Sequence, residues 1–378
     1  MKKNKVQFNL PSFVGSEIKN IKTLKHFSND GIYTKKCSIW LKKNIKCKEA
    51  LLVNSCTAAL EMCAILINIR PNDEIIMPSY TFVSTANAFA LRGGKPVFVD
   101  IDPLTQNIDP KNIENAITKK TKAIVVVHYA GISCDMDPIL KIAKKNNLYV
   151  IEDAAHAILS SYKGKPLGSI GDLATLSFHE TKNIHCGQGG ALLINNSKFI
   201  KRAKIIKDKG TNRDLFNKKL VNKYTWVDIG SSYALSEINA AFLFAQLIKS
   251  KKIINYRKKI VNLYYLGLKE LSTRSFIKLL TIPDYSGYNG HLFYIQILKR
   301  KRASLIKYLN DRSISSVFHY IPLHNSKFGK KNSVSIFKMN NTNNAGRNLL
   351  RLPLYQNITE KQIKIITSEI SNFFLKNK

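Results

Sequence analysis

Between residue 48 and about 200 the chain alternates short, nearly unbroken apolar runs with helix-length segments. The runs are "EALLVNS", "DEIIMPS", "KPVFVDID", "KAIVVVHYAG" and "LYVIEDAAH". Continuous Val, Ile and Leu without alternation predicts strands buried on both faces of a mostly parallel sheet. The segments after the first four are expected to be helical: Cys56 to about Ile69, Phe82 to Arg92, Pro110 to Lys119 and Asp137 to Asn146. Repeated strand–helix alternation implies right-handed crossovers and a doubly wound α/β unit. Two further strands, "LATLSFH" and "GGALLIN", follow in quick succession.

Beyond them the pattern changes. Residues 232 to 270 predict one long helix, followed by a strand "HLFYIQI", a helix from Ala303 to Leu309 and a loop "FHYIPLH". The stretch Lys327 to Asn344 is polar and reads as a mobile loop. A closing helix from Thr359 to Phe374 opens on Thr359 and Gln362, the residue pair of a capping box. Two units are expected: residues 1–250, an arm plus a large α/β domain, and residues 251–378, a smaller α+β domain.

Composition narrows the class. A chain of 378 residues with 44% hydrophobic residues can bury a large core. The longest apolar stretch, Ala58 to Ile69, is interrupted by Glu61, so no membrane span is expected. The basic start "MKKNKVQFNLPSF" lacks the apolar run of a signal peptide, and a cytoplasmic protein is the expectation. The six cysteines fall in no CxxC pair, so free thiols and no metal site are expected. The net charge of +35 invites a nucleic-acid reading. Lysine supplies 49 of the 60 cations and is scattered among loops and helix faces, whereas nucleic-acid sites favour clustered arginine forks and stacking aromatics. No nucleic-acid partner is expected.

Candidate chemistry lies where strands end, since open α/β sheets bind ligands beyond their carboxyl ends. "NSCTAALE" sets small and hydroxyl residues at a strand-to-helix junction, where the amides of Thr57 and Ala58 would form an anion site. Alone it is equally an ordinary helix cap. "VIEDAAH" ends a strand with Asp153, which alone could be a turn residue; "PSYTF" places Phe82 after another, where an aromatic is more often core. Ser177 and Lys182 flank a turn leading to Gly189 and Gly190. Together these parts match pyridoxal 5'-phosphate. Thr57, Ala58 and Ser177 would hold its phosphate, Phe82 its ring, Asp153 its pyridine nitrogen and Lys182 its aldehyde. An anion about 4 Å from the ring nitrogen is worth on the order of 4 kcal/mol at an effective dielectric near 20. It keeps that nitrogen protonated and the ring able to accept electrons. Burial of Lys182 would supply the free amine that attack and proton transfer both need.

From Phe8 to Phe374 the chain resembles the DegT/DnrJ/EryC1/StrS sugar aminotransferases. "SFHETKN" resembles the lysine motif of that family and "EDAAH" its pyridine-nitrogen motif. "PSYTFVSTANA", "GTNR" with "IGSSYALSEINAA", "FHYIPLH" and "RLPLY" follow in the family's order. The resemblance implies a type I PLP-dependent aminotransferase fold and a homodimer with its sites at the subunit interface. It implies amino transfer from L-glutamate to a dTDP-linked 4-keto-6-deoxy sugar. His156 stands where many relatives carry a glutamine bonding the cofactor's phenolic oxygen. Ser232 and Ala234 stand where many carry the polar residues of "GxNxR", the first reaching the partner's phosphate. His319, Tyr320 and His324 are expected on the substrate side. Dehydratases of the same fold carry histidine in place of the lysine, so Lys182 argues against that chemistry.

Overall fold

The computed structural model describes residues 6–375; the first five residues of the basic start lie outside them. The seven predicted apolar runs form β1 (Glu49–Val53), β2 (Glu74–Pro78), β3 (Lys95–Val99), β4 (Thr121–Val127), β5 (Tyr149–Asp153), β6 (Leu173–Ser177) and β7 (Gly190–Ile194), and an unpredicted edge strand, β8 (Val334–Ser335), completes one eight-stranded sheet. Their spatial order is β1-β7-β6-β5-β4-β2-β3-β8. Neighbours are parallel from β6 through to β8, while β7 runs antiparallel to both β1 and β6.

Both faces are buried, which is why the strands are apolar without alternation. Leu52, Ile76, Val97, Ile124 and Val126 enter one core, with the helices Ile32–Ile45, Met136–Lys145 and Glu237–Ile248. Their strand neighbours Leu51, Val53, Ile75, Met77, Ala123 and Val125 enter the other, under Cys56–Leu66, Val83–Ala90 and Ile200–Lys207. A third core surrounds a four-stranded antiparallel sheet ordered Ile277–Leu279, Phe293–Ile297, Leu349–Leu352, Val317–Phe318, with the helices Ser250–Thr273 and Glu360–Leu375.

Three predicted elements differ. Residues 110–119 form two 3-10 turns, Pro110–Asn112 and Glu114–Ala116, rather than a helix. The fully buried Ile113, between the two turns, and Ala116 lie three apart, the spacing that a 3-10 turn stacks on one side. The long helix is two, Glu237–Ile248 and Ser250–Thr273, joined at Lys249. The first packs in a large-sheet core and the second in the third core, so a bend lets one segment serve both. The polar stretch Lys327 to Asn344 is not loop throughout. It contains the helix Lys327–Asn332, strand β8 and the start of Asn340–Asn348. The capping box forms as predicted: Thr359 N–H donates to Gln362 Oε1 (2.9 Å) and Gln362 N–H to Thr359 Oγ1 (3.2 Å).

Candidate active site

Asp153 ends β5, Ser177 ends β6, and the two strands are parallel neighbours in register (Asp153 opposite Thr175), so both side chains reach one sheet edge. Lys182 lies in the hairpin loop between β6 and β7. That loop is held by Phe178 N–H to Gly189 O, Glu180 N–H to Gly187 O and Lys182 N–H to His179 O. The antiparallel return brings Gly190 opposite Val53, just before the helix Cys56–Leu66 begins. A Cβ on Gly190 would sit 2.4 Å from the Ser55 carbonyl carbon and 2.5 Å from the Cys56 nitrogen. Only hydrogen fits there, and the bare backbone brings the helix start to the edge where Lys182 stands.

A cavity of about 590 Å³ opens at this edge, between the large sheet and the C-terminal sheet. Its wall includes Thr57, Phe82, Asp153, His156, Ser177, Lys182, His319 and Tyr320, eight of the residues expected from sequence. Three expected residues lie elsewhere. The Ala58 N–H is taken by the Ser55 hydroxyl that caps the helix (3.1 Å), so Cys56 and Thr57 present the helix start instead. Ser232 is exposed, outside the cavity of its own chain. His324 does not line the cavity: its Nδ1 bonds Ser79 Oγ (2.7 Å) and its Nε2 faces Asn343 Oδ1 (3.2 Å).

Burial sets the electrostatics. It lowers the Lys182 amine from 10.5 to about 8, against the opposing pull of the neighbouring anion Asp153. The Cys56 thiol is pushed up to about 12, mainly by burial, so Lys182 rather than Cys56 is the available nucleophile. Asp153 is held in place by the Thr85 hydroxyl on Oδ2 (2.7 Å) and the Ala155 N–H on Oδ1 (3.1 Å). His156 is kept neutral by burial, then by Lys182 and Arg351. Its Nδ1 accepts the Ala130 N–H (3.3 Å), so the ring proton resides on Nε2 and can be donated.

Sequence reasoning missed several wall residues. His291 stacks on His156 with ring centroids 4.2 Å apart, and His319 accepts or donates through Nδ1 to the Tyr129 hydroxyl (3.0 Å). Burial holds both histidines neutral. Thr85, Arg257 and Arg351 also line the cavity. For Arg351 a signal existed, since an arginine inside the apolar run "LLRLPLY" is unusual for a strand of a packed sheet.

These groups fit pyridoxal 5'-phosphate: an amine of depressed pKa, a fixed carboxylate, a neutral histidine with a free donor, and a helix start left bare by Gly190. The comparisons agree. The DegT/DnrJ/EryC1/StrS aminotransferase family matches residues 15–371. The spore coat polysaccharide biosynthesis protein SpsC of Bacillus subtilis is 34% identical over 84% of this chain and 83% of its own. Among solved structures, the sugar aminotransferase Spr1654 of Streptococcus pneumoniae in its PLP form matches with a TM-score of 0.88 at 26% identity, covering 96% of this chain and 97% of that one. Helicobacter pylori PseC, an aminotransferase of pseudoaminic acid biosynthesis, matches with a TM-score of 0.89 at 25% identity, covering 99% and 100%. The chain belongs to the DegT/DnrJ/EryC1/StrS aminotransferase family and is a PLP-dependent sugar aminotransferase.

Proposed function

We propose that the enzyme transfers the amino group of L-glutamate to C4 of dTDP-4-dehydro-6-deoxy-D-glucose. The products are dTDP-4-amino-4,6-dideoxy-D-galactose and 2-oxoglutarate, for a cell-surface polysaccharide of the enterobacterial common antigen type. The observation that carries the chemistry is the convergence of Lys182, Asp153 and a neutral His156 on one cavity. The sugar reading is supported by the runs "NSCTAALEM", "VHYAGISCDMD", "GTNRDLF", "KYTWVDIGSSY" and "VFHYIPLH", which resemble the transaminase making that product.

When bound, the cofactor supplies an electron sink for the carbanion formed at the substrate carbon. The chain does the rest. The Lys182 amine, kept uncharged by its burial, would hold the cofactor through its aldehyde with loss of water, and when free would be the base that moves the proton at the substrate carbon. Asp153, fixed by Thr85 and Ala155, keeps the pyridine nitrogen protonated. His156, with its proton on Nε2, would donate to the phenolic oxygen. The amides of Cys56 and Thr57, with the Thr57 and Ser177 hydroxyls, would hold the phosphate at the positive end of the helix Cys56–Leu66.

Phe82, 58% exposed in the single chain, would cover the ring, and in a two-fold homodimer Ser232 would reach the partner's site. His319 and Tyr320 face the sugar. The deciding assay supplies L-glutamate and dTDP-4-keto-6-deoxyglucose and reads the C4 configuration of the product by NMR. A galacto amino sugar is expected. No amino sugar from a loaded enzyme would instead assign a different nucleotide-linked 3- or 4-keto sugar.

A further inference from the structure

Arg351 sits on an inner strand of the C-terminal sheet, opposite Tyr294 on one side and Val317 on the other. Ladders on both sides fix its backbone, so the side chain enters the cavity from a rigid base. The Phe8 ring covers one face of the guanidinium, 4.6 Å from Cζ. No hydrogen bond to the guanidinium occurs among the described residues, and its Nε is buried without a partner. Arg257, the other arginine of the cavity, differs: its Nε and Nη2 donate to the carbonyls of Gly290, His291 and Leu354.

The charges around Arg351 do not neutralise it. His156, His291 and His319 are held neutral. The cavity carboxylate, Asp153, is already engaged by Thr85 and Ala155. Arg351 is partly buried with its Nε fully so; an uncompensated cation in such a place is costly, and an entering anion reduces the cost.

We infer that Arg351 binds a carboxylate of the amino donor, through the paired donors of its planar guanidinium. This rests on the donor being L-glutamate, as proposed above. A guanidinium matches a carboxylate with two parallel bonds. The donor carries one carboxylate on the very carbon whose proton Lys182 moves, so that anion must lie deep in the cavity with the lysine. The acceptor's diphosphate is attached at C1, across the sugar ring from C4, and so lies toward the cavity mouth. In the second half of the reaction the same donors are free to bond neutral sugar hydroxyls.

The test uses loaded enzyme and two measurements. The first follows the change in cofactor absorbance on titration with L-glutamate. The second is calorimetry of the aminated enzyme with 2-oxoglutarate and, separately, with dTDP as the diphosphate probe. Arg351→Gln is expected to weaken L-glutamate and 2-oxoglutarate on the order of 100-fold, with cofactor content unchanged and dTDP affinity within about 3-fold. Unchanged 2-oxoglutarate binding overturns the inference, and selective loss of dTDP reassigns the guanidinium to the diphosphate. If Arg351→Gln does not fold, Arg351→Lys decides: an ammonium cannot present the fork, so about 10-fold weakening is expected and wild-type affinity refutes. Wild-type enzyme that does not react with L-glutamate would sink the donor assignment itself, a separate failure.

Discussion

Replacing Lys182 by methionine should stabilise the cofactor-free protein, and by an amount that depends on pH. Burial lowers the amine from 10.5 to about 8. Between those values the unfolded chain holds a proton that the folded chain has released, so wild-type stability rises with pH across that window. Below about 8 the amine is charged in both states and the folded protein bears the full cost of burying it. The gap between 10.5 and about 8 corresponds to about 3 kcal/mol at most. Because the amine faces a cavity open to solvent, about 2 kcal/mol is the expected size at pH 7. Methionine has nearly the same length and no charge, so it removes the cost. Urea unfolding of both apoproteins at half-unit steps from pH 7 to 10.5 measures it. The advantage of Lys182→Met should be constant up to about pH 8 and then shrink as pH rises. A difference between the two proteins that stays flat from pH 7 to 10.5 would refute a depressed Lys182, and with it the account of how a free amine is available near neutrality.

Asp153→Asn removes the anion at the ring nitrogen and should lower kcat/KM by roughly 10³-fold, from a contribution of about 4 kcal/mol. Cofactor should remain bound by absorbance, and a loss under 10-fold would contradict the assignment. Gly190→Ala forces a methyl against the Ser55–Cys56 backbone and should cost about 1–3 kcal/mol in urea unfolding. It should also weaken cofactor binding, because the helix start is pushed off the sheet edge; an unperturbed dissociation constant would separate that helix from the phosphate. His156→Gln keeps a donor and should leave the bound cofactor's absorbance nearly as in wild type, whereas His156→Leu should shift it. Equal spectra for both variants would remove His156 from the phenolic oxygen.

The strands were legible because burial on both faces leaves an unmistakable apolar run, and the strand-end chemistry followed from their order. What was not legible depends on partners far away in sequence. The helix Ile32–Ile45 escaped notice because its start carries no local cap. Its Tyr33 and Thr34 amides donate to the carboxylate of Glu237, 2.9 and 2.8 Å away and about 200 positions along the chain. The helix Asn340–Asn348, which begins inside a stretch read as loop, is started the same way. Asp100 accepts from the Asn341 and Thr342 amides at 3.0 and 2.8 Å. An N-terminal cap satisfies backbone donors wherever its carboxylate comes from, so a search for local capping residues finds only those ends that are capped locally, as at Thr359. Strand β8 eluded the pattern for a related reason, since an edge strand contributes backbone hydrogen bonds that ask little of its side chains. The site divides along the same line. Asp153 and Ser177 were legible because each ends a strand that its own sequence declares, and Lys182 because it lies in the turn between two such strands. Arg351 was not, because its meaning comes from what surrounds it after folding: three neutral histidines, a covering Phe8 and no anion of its own. A motif places a residue at the site, but only the assembled charges reveal which ligand group that residue still needs.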